Sequence, residues 1–409
     1  MLTYQEALQL VLARVSRLGA IRAPLQEALG RVTAEDLLAL EPVPPFTNSA
    51  MDGFALRAQD LAGASAADPV RLRVLGEIAA GQAGSRALEP GTAFRIMTGA
   101  PVPPGADTIV PLEDVTTGPG WVALARPLRQ GSNVRLAGED LPGGGLVIPA
   151  LTPLRPAELG VLATIGCVEV PVFPPARVAV LTTGNELVDA GEVPGPGRIR
   201  DANIHSLCAQ IRAAGAIPVP FPRVPDQREA VAATLRQALA SADVVLTNGG
   251  VSVGDFDHIK EVLEALGAEL VFWRVAQKPG GPLGLWLFDG KPIFGIPGNP
   301  VAAMLMFEAY VRPALRRMMG FGKLHRPEHL GVLDAAWRKS GPDGRLHFLR
   351  VVARVEGAQW HAALTGPQGS GVLSSMMRAN ALVLIPEATL AIPAGGEVRI
   401  QLLDAVEDH

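Results

Sequence analysis

Thr247-Asn248-Gly249-Gly250-Val251-Ser252-Val253-Gly254-Asp255-Phe256-Asp257 follows the apolar run Val244-Val245-Leu246 and precedes a helical pattern over residues 257–266. The stretch reads as a strand-to-helix junction. Glycines at the end of a buried strand let the backbone approach a ligand closely, and the N–H groups opening the next helix point at negative charge. Ser252 adds a hydroxyl and Asp257 a carboxylate. Together they suggest a phosphorylated ligand bridged by a divalent cation, which keeps carboxylate and phosphate from repelling each other. The spacing matches neither a Walker A loop nor a dinucleotide fingerprint. A glycine-rich turn after a strand is also common loop punctuation, so this motif needs company.

That company lies on both sides. Val178-Ala179-Val180-Leu181, helical patterns over residues 203–214 and 227–240, a strand over 292–296 and a helix over 301–319 alternate along the chain. Strands alternating with helices predict a parallel sheet in a three-layer α/β/α domain, placed at residues 173–326. Two further turns follow strands: Thr182-Thr183-Gly184-Asn185-Glu186 and Gly295-Ile296-Pro297-Gly298-Asn299-Pro300. Ligands of open α/β sheets lie outside the carboxyl ends of the strands, where all three turns belong. Asn299 and Pro300 also make an ordinary helix start, with Asn299 as N-cap, and such a start is still positively polarised. Glu186 is a candidate metal ligand or general base, against the commoner alternative of a solvated loop glutamate. Lys278, in Gln277-Lys278-Pro279-Gly280-Gly281-Pro282, is one of only five lysines in a chain that otherwise uses arginine. A compact point charge held between turn residues suits phosphate or another oxyanion.

At 409 residues the chain is too long for one ordinary core. Thr3 with Glu6 forms a capping box ahead of an apolar helical face, and Glu41-Pro42-Val43-Pro44-Pro45 breaks any helix into an extended link. Residues 46–140 alternate short apolar stretches with Gly and Pro and predict a β-rich domain. A helix over residues 156–165 is expected to pack back on the first helix, which joins 1–45 and 141–172 into one discontinuous helical and linker domain. Residues 327–409 read as a compact C-terminal β-domain. The fold class is therefore α/β plus β-rich domains. In the β-rich part, Asp52 sits in Asn48-Ser49-Ala50-Met51-Asp52-Gly53-Phe54, where it caps a turn or serves a site, with Met51 and Phe54 read as core.

Composition narrows the function classes. A net charge of −4 without basic runs argues against nucleic acid as a partner. Cys167 and Cys208 have no metal-ligand spacing and read as packing residues. No apolar run reaches membrane-spanning length and no leader pattern opens the chain, so a cytoplasmic protein is expected. The seven histidines are scattered, and no Ser-His-Asp order supports acyl transfer.

Six motifs in register closely resemble the MoeA family of molybdopterin molybdenumtransferases, which includes the E domain of gephyrin. They are Asn48-Ser49-Ala50-Met51-Asp52-Gly53, Arg95-Ile96-Met97-Thr98-Gly99-Ala100, Gly138-Glu139-Asp140, Thr183-Gly184-Asn185-Glu186-Leu187, Gly249-Gly250-Val251-Ser252-Val253-Gly254 with Asp257, and Pro297-Gly298-Asn299-Pro300. The resemblance covers almost the whole chain. It implies an elongated four-domain subunit in a homodimer, with a cleft between the α/β domain of one chain and the segment around Asp52, Thr98 and Asp140 of the other. It implies a reaction in which adenylylated molybdopterin and molybdate give molybdenum cofactor and AMP with Mg²⁺ assisting. By the same match Asp52, Thr98, Asp140, Glu186, Asp226, Asp257, Lys278, Pro297, Pro300 and Ser370 or Ser375 belong to the cleft, with Arg345 or Arg350 supplied by the C-terminal domain.

The motifs and the resemblance together assign Gly249, Gly250, Ser252, Gly254 and the turn Pro297, Gly298, Asn299 to the phosphates and molybdate, and Glu186 with Asp257 to Mg²⁺. The implied partners are molybdopterin adenylyltransferase and cofactor-accepting proteins. One departure stands out: the family usually carries a second lysine where this chain has Gly281, and Arg274 is a candidate replacement. Two other readings stay open. Molybdopterin adenylyltransferase resembles only residues 177–320, and the flanking domains argue against it. A gephyrin-type scaffold would not need the clustered acids.

Overall fold

The computed structural model describes residues 1–82, 86–249 and 258–404. The first helix, Tyr4–Arg14, opens on the capping box: Thr3 Oγ1 accepts the Glu6 N–H at 3.3 Å and the Glu6 carboxylate accepts the Thr3 N–H at 2.8 Å. Its packing partner differs from expectation. Ala7, Leu8, Val11 and Val15 are buried with Val178, Val180, Leu207 and Phe294 in the α/β core. The Tyr4 ring meets Tyr310 and Phe348 edge-on, with centroids 5.5 and 5.7 Å apart. The helix Pro156–Thr164, expected to lie against it, instead buries Leu162 with Ala23, Leu154 and Val170. Periodicity identifies which face of a helix is apolar and says nothing of what will cover it.

Next the strand Ile21–Pro24 pairs antiparallel with Glu169–Val172, and Leu37–Leu38 pairs with Leu146–Ile148, so chain segments on either side of the β-rich part meet. The β-rich sheet runs in the order Thr108–Pro111, Gly53–Leu56, Thr92–Ile96, Val70–Ile78, Trp121–Leu124, Thr116–Gly118. A Cβ on Gly53 would stand 1.8 Å from the Val110 carbonyl oxygen, so only glycine lets these strands close. Phe54 is core as expected, whereas Met51 is 40% exposed.

The central sheet has the order Ile217–Pro220, Arg177–Thr182, Val244–Asn248, Lys291–Ile296, Gly284–Phe288, Glu269–Trp273. Val178, Val180, Leu246 and Phe294 face one helical layer and Ala179, Leu181, Val245 and Ile293 the other, which produces three layers. The sheet is not wholly parallel: Gly284–Phe288 runs antiparallel to both of its neighbours, Lys291–Ile296 and Glu269–Trp273. Asp289 and Gly290, at φ 48° and 75°, reverse the chain within two residues, and so tight a turn joins antiparallel neighbours without a crossover helix. The helix begun at Pro300 continues through a π-helical turn, Phe307–Val311, into Arg312–Met318. Pro313 has no N–H to donate, and the widened turn lies just before it.

In the C-terminal unit Leu346–Glu356, Gln359–Leu364, Glu328–Leu333, Glu397–Leu402 and Ala381–Ile385 pair in succession, and the last pairs back to the first. They close around Leu333, Val351, Ala362, Val383 and Ile400. The short strand Gln277–Lys278 leaves the α/β unit to pair, parallel, with Leu346 and His347. Among the described residues no helix is long and apolar enough to cross a membrane.

Candidate active site

A cleft of about 900 Å³ opens at the carboxyl ends of the parallel strands. Thr183, Gly184 and Glu186 enter it after one strand, Asn248 and Gly249 after the next, and Pro297, Gly298, Asn299 and Pro300 after the third. Lys278 and Gly281 form a second side, and Arg345, Gln368 and Ser370 close it from the C-terminal unit.

Local chemistry explains these placements. Gly249 has φ 88°, and a Cβ there would meet the Thr183 carbonyl oxygen at 2.6 Å, so the strand end requires glycine. The Glu186 carboxylate folds back over Gly184, where a Cβ would come within 2.7 Å of it. Gln277, fully buried, accepts the Tyr310 hydroxyl at 2.6 Å and donates to the Gly280 carbonyl at 2.8 Å, which anchors the turn presenting Lys278. Burial raises the Tyr310 pKa, so its hydroxyl stays a donor at any working pH. Asn299 precedes the helix but makes no side-chain cap, and the Val301 N–H donates instead to the Ser370 carbonyl at 3.2 Å.

Beneath the cleft an amide relay joins the turns. Asn203 Nδ2 donates to Asn248 Oδ1 and to the Gly298 carbonyl, both at 2.7 Å, and Asn248 Nδ2 donates to the Pro297 carbonyl at 2.7 Å. Asp201 Oδ1 accepts the N–H groups of Asn203 and Ile204 at 3.0 and 3.1 Å and so opens the helix Asn203–Ala213. Arg200, Asp201 and Asn203 all line the cleft and were missed from sequence. The available signal was an Asp two residues ahead of the helical pattern that starts at Asn203.

The expected site residues divide into four groups. Glu186, Asp226, Gly249, Lys278, Pro297, Gly298, Asn299, Pro300, Arg345 and Ser370 line the one cleft. Arg350 and Ser375 do not: both are fully buried behind it, with Arg350 Nε donating to Ser375 Oγ and Nη2 to the Gly369 carbonyl, each at 3.1 Å. Burial pushes the Arg350 pKa down to about 10. Asp52, Thr98 and Asp140 lie outside this cleft in the β-rich part. Asp52 Oδ1 accepts both the Thr98 N–H and its hydroxyl at 2.7 Å, and these bonds, the backbone one foremost, hold the carboxyl below its ordinary range. Gly250, Ser252, Gly254 and Asp257 fall outside the described residues. Among the described residues no group of three His, Cys, Asp or Glu is arranged around a metal position. Arg274, the candidate replacement for the second lysine, does not line the cleft.

Comparison with known proteins gives matches along the chain. The family models for the MoeA N-terminal region (domain I and II), a probable molybdopterin binding domain and the MoeA C-terminal region (domain IV) match residues 2–166, 179–317 and 331–403. Molybdopterin molybdenumtransferase 2 of Mycobacterium tuberculosis is 38% identical over 98% of this chain and 99% of its own. The molybdopterin molybdenumtransferase of Staphylococcus aureus is 33% identical over 99% of this chain and 97% of its own. A crystal structure of the molybdopterin biosynthesis MoeA protein from Pyrococcus horikoshii superposes with a TM-score of 0.85 at 32% identity, covering 99% of this chain and 100% of that one. With relatives above 30% identity aligned from end to end and all three regional models matched in order, this chain belongs to the MoeA family.

Proposed function

We propose that this protein inserts molybdenum into molybdopterin: it takes adenylylated molybdopterin and molybdate, forms the molybdenum cofactor and releases AMP. The observation that carries the reading is one cleft in which backbone-lined strand ends, three carboxylates (Glu186, Asp201, Asp226) and three cations (Arg200, Lys278, Arg345) converge. Gly249 and the Pro297 to Asn299 turn offer close backbone approach to phosphate oxygens, and Ser370 faces them. Lys278 and Arg345 supply fixed positive charge for molybdate, a dianion.

Glu186 and Asp226 on the same cleft fit Mg²⁺, which takes one or two carboxylates together with substrate phosphates. The ion, when bound, would neutralise charge developing on the phosphoanhydride. We assign Ser252 and Asp257 to the phosphates and the metal by motif. In a homodimer the partner subunit would bring Asp52, Thr98 and Asp140 to the rim, which accounts for acids that one chain keeps outside its own cleft. We place the reaction in the cytoplasm, consistent with two free cysteines.

The test is turnover. The protein is incubated with adenylylated molybdopterin, Mg²⁺ and molybdate, and separately with ATP and free molybdopterin. Molybdate-dependent AMP release and cofactor formation in the first mixture support the proposal. Activity only in the second would make the protein an adenylyltransferase, and silence in both would favour a scaffold.

A further inference from the structure

Arg345 enters the cleft from the residue before the strand Leu346–Glu356, backed by a closed set of polar contacts. Asp343 Oδ2 accepts from Arg345 Nε at 3.2 Å and lies 2.8 Å from His347 Nε2. Its Oδ1 accepts the Arg345 backbone N–H at 3.2 Å and lies 3.7 Å from Lys339 Nζ. The Lys339 side chain is 1% exposed and donates to the carbonyls of Arg345, Pro386 and Glu387 at 2.9, 3.2 and 2.9 Å. His347 meets the Trp337 ring at 5.5 Å and pairs across the strands with Lys278.

An ammonium taken out of water requires an opposite charge and hydrogen-bond acceptors. The three carbonyls supply the acceptors, and Asp343, 3.2 Å from Arg345 Nε and 3.7 Å from Lys339 Nζ, shares its single charge between two cations, so a net positive charge remains at the cleft. Burial foremost, with Lys339 and Lys278 adding to it, lowers the His347 pKa despite the Asp343 contact, so the neutral ring donates to Asp343 without adding a cation.

We propose that Asp343 is a positioning residue: by gripping Arg345 at both Nε and the backbone N–H, it fixes the guanidinium across from Lys278 so that the two cations meet one tetrahedral oxyanion. This rests on the reading of the cleft as a molybdate site. Asp343 acts through Arg345 and touches no substrate.

Wild type, Asp343→Ala, Arg345→Ala and the double variant are compared as full-length proteins. The readouts are molybdate KM and kcat in the insertion assay and calorimetric binding of molybdate alone. Asp343→Ala should raise the molybdate KM about fivefold with kcat within about twofold, and should add nothing to Arg345→Ala, because a residue acting through another is not additive with it. Should Asp343→Ala fail to fold, Asp343→Asn keeps the acceptor, removes the charge and replaces it in the cycle. An unchanged KM, or a full multiplicative effect in the Arg345→Ala background, overturns the inference. A wild type without turnover overturns the functional reading instead, and the calorimetric cycle then decides by the same additivity criterion. A wild type that binds no molybdate overturns both.

Discussion

Lys278 of the α/β unit pairs in register with His347 of the C-terminal barrel, so the cleft lysine stands on a strand shared by two structural units. The pairing is made by backbone, and the ammonium remains exposed. Lys278→Ala should therefore leave stability within about 0.5 kcal/mol while weakening apparent molybdate affinity about tenfold. Chemical denaturation and steady-state kinetics with varied molybdate measure the two effects separately.

Neighbouring glycines in the Lys278 turn should respond in opposite ways. Gly280 has φ 89°, and a Cβ would meet Met306 Sδ at 2.6 Å, so Gly280→Ala should cost about 1–3 kcal/mol in denaturant unfolding. At Gly281 the nearest atoms to a Cβ are carbonyl oxygens at 3.5 and 3.6 Å, an ordinary contact. Gly281→Lys should fold normally and lower the molybdate KM by a factor of about three to ten, since it adds a cation beside Lys278. A higher KM would show that the position excludes a lysine for a reason other than space.

The Asn203 relay should couple stability to nucleotide binding. Asn203→Ala leaves the buried Asn248 Oδ1 and the Gly298 carbonyl without that donor, an expected loss of about 1–3 kcal/mol. The turns at Gly249 and Pro297 would loosen together, so AMP binding, read by calorimetry, should weaken as well. Normal AMP affinity in a destabilised variant would confine the relay to a structural role.

Thr98→Val removes the hydroxyl that donates to Asp52 and keeps the backbone N–H, which is the larger cause of the lowered carboxyl pKa. The Asp52 pKa should rise part of the way toward its ordinary value in an NMR titration. An unmoved titration would mean that the backbone bond alone sets it.

Asp343 carries a pH signature. Burial opposes its ionisation, but bonds from His347 and the Arg345 backbone prevail and bring its pKa from 3.8 to about 2. A depressed carboxyl stabilises the fold above its unfolded value and loses that stabilisation as pH falls through the folded one. Asp343→Asn should therefore cost about 2 kcal/mol at neutral pH. The deficit should shrink as pH falls from 3.8 toward 2, which urea titrations at several pH values would show.

Much of the site was legible because its signals are local. Gly249 and Gly53 mark backbone approaches closer than any side chain allows, and Thr3 with Glu6 closes a helix start within four residues. The Asp289-Gly290 hairpin was equally local and was overlooked in favour of a parallel reading. Arg345 and Arg350 were indistinguishable as motifs, because five residues apart on a strand-and-turn segment either could face the ligand. Packing put one at the cleft and the other beneath it, against Ser375.

Taken alone, the order of residues determined the strand-turn-helix junctions, the capped first helix, the β-rich flanks and the set of acids and cations available for chemistry. Periodicity and turn residues act over a few positions, so they can be read without coordinates. Tertiary structure alone decided that the first helix joins the α/β core, that Asn203 staples two turns of the cleft, and that Lys339, Asp343 and His347 stand behind Arg345. Those outcomes depend on which apolar face meets which and on where burial leaves a charge needing a partner, and both are settled only when distant parts of the chain pack together.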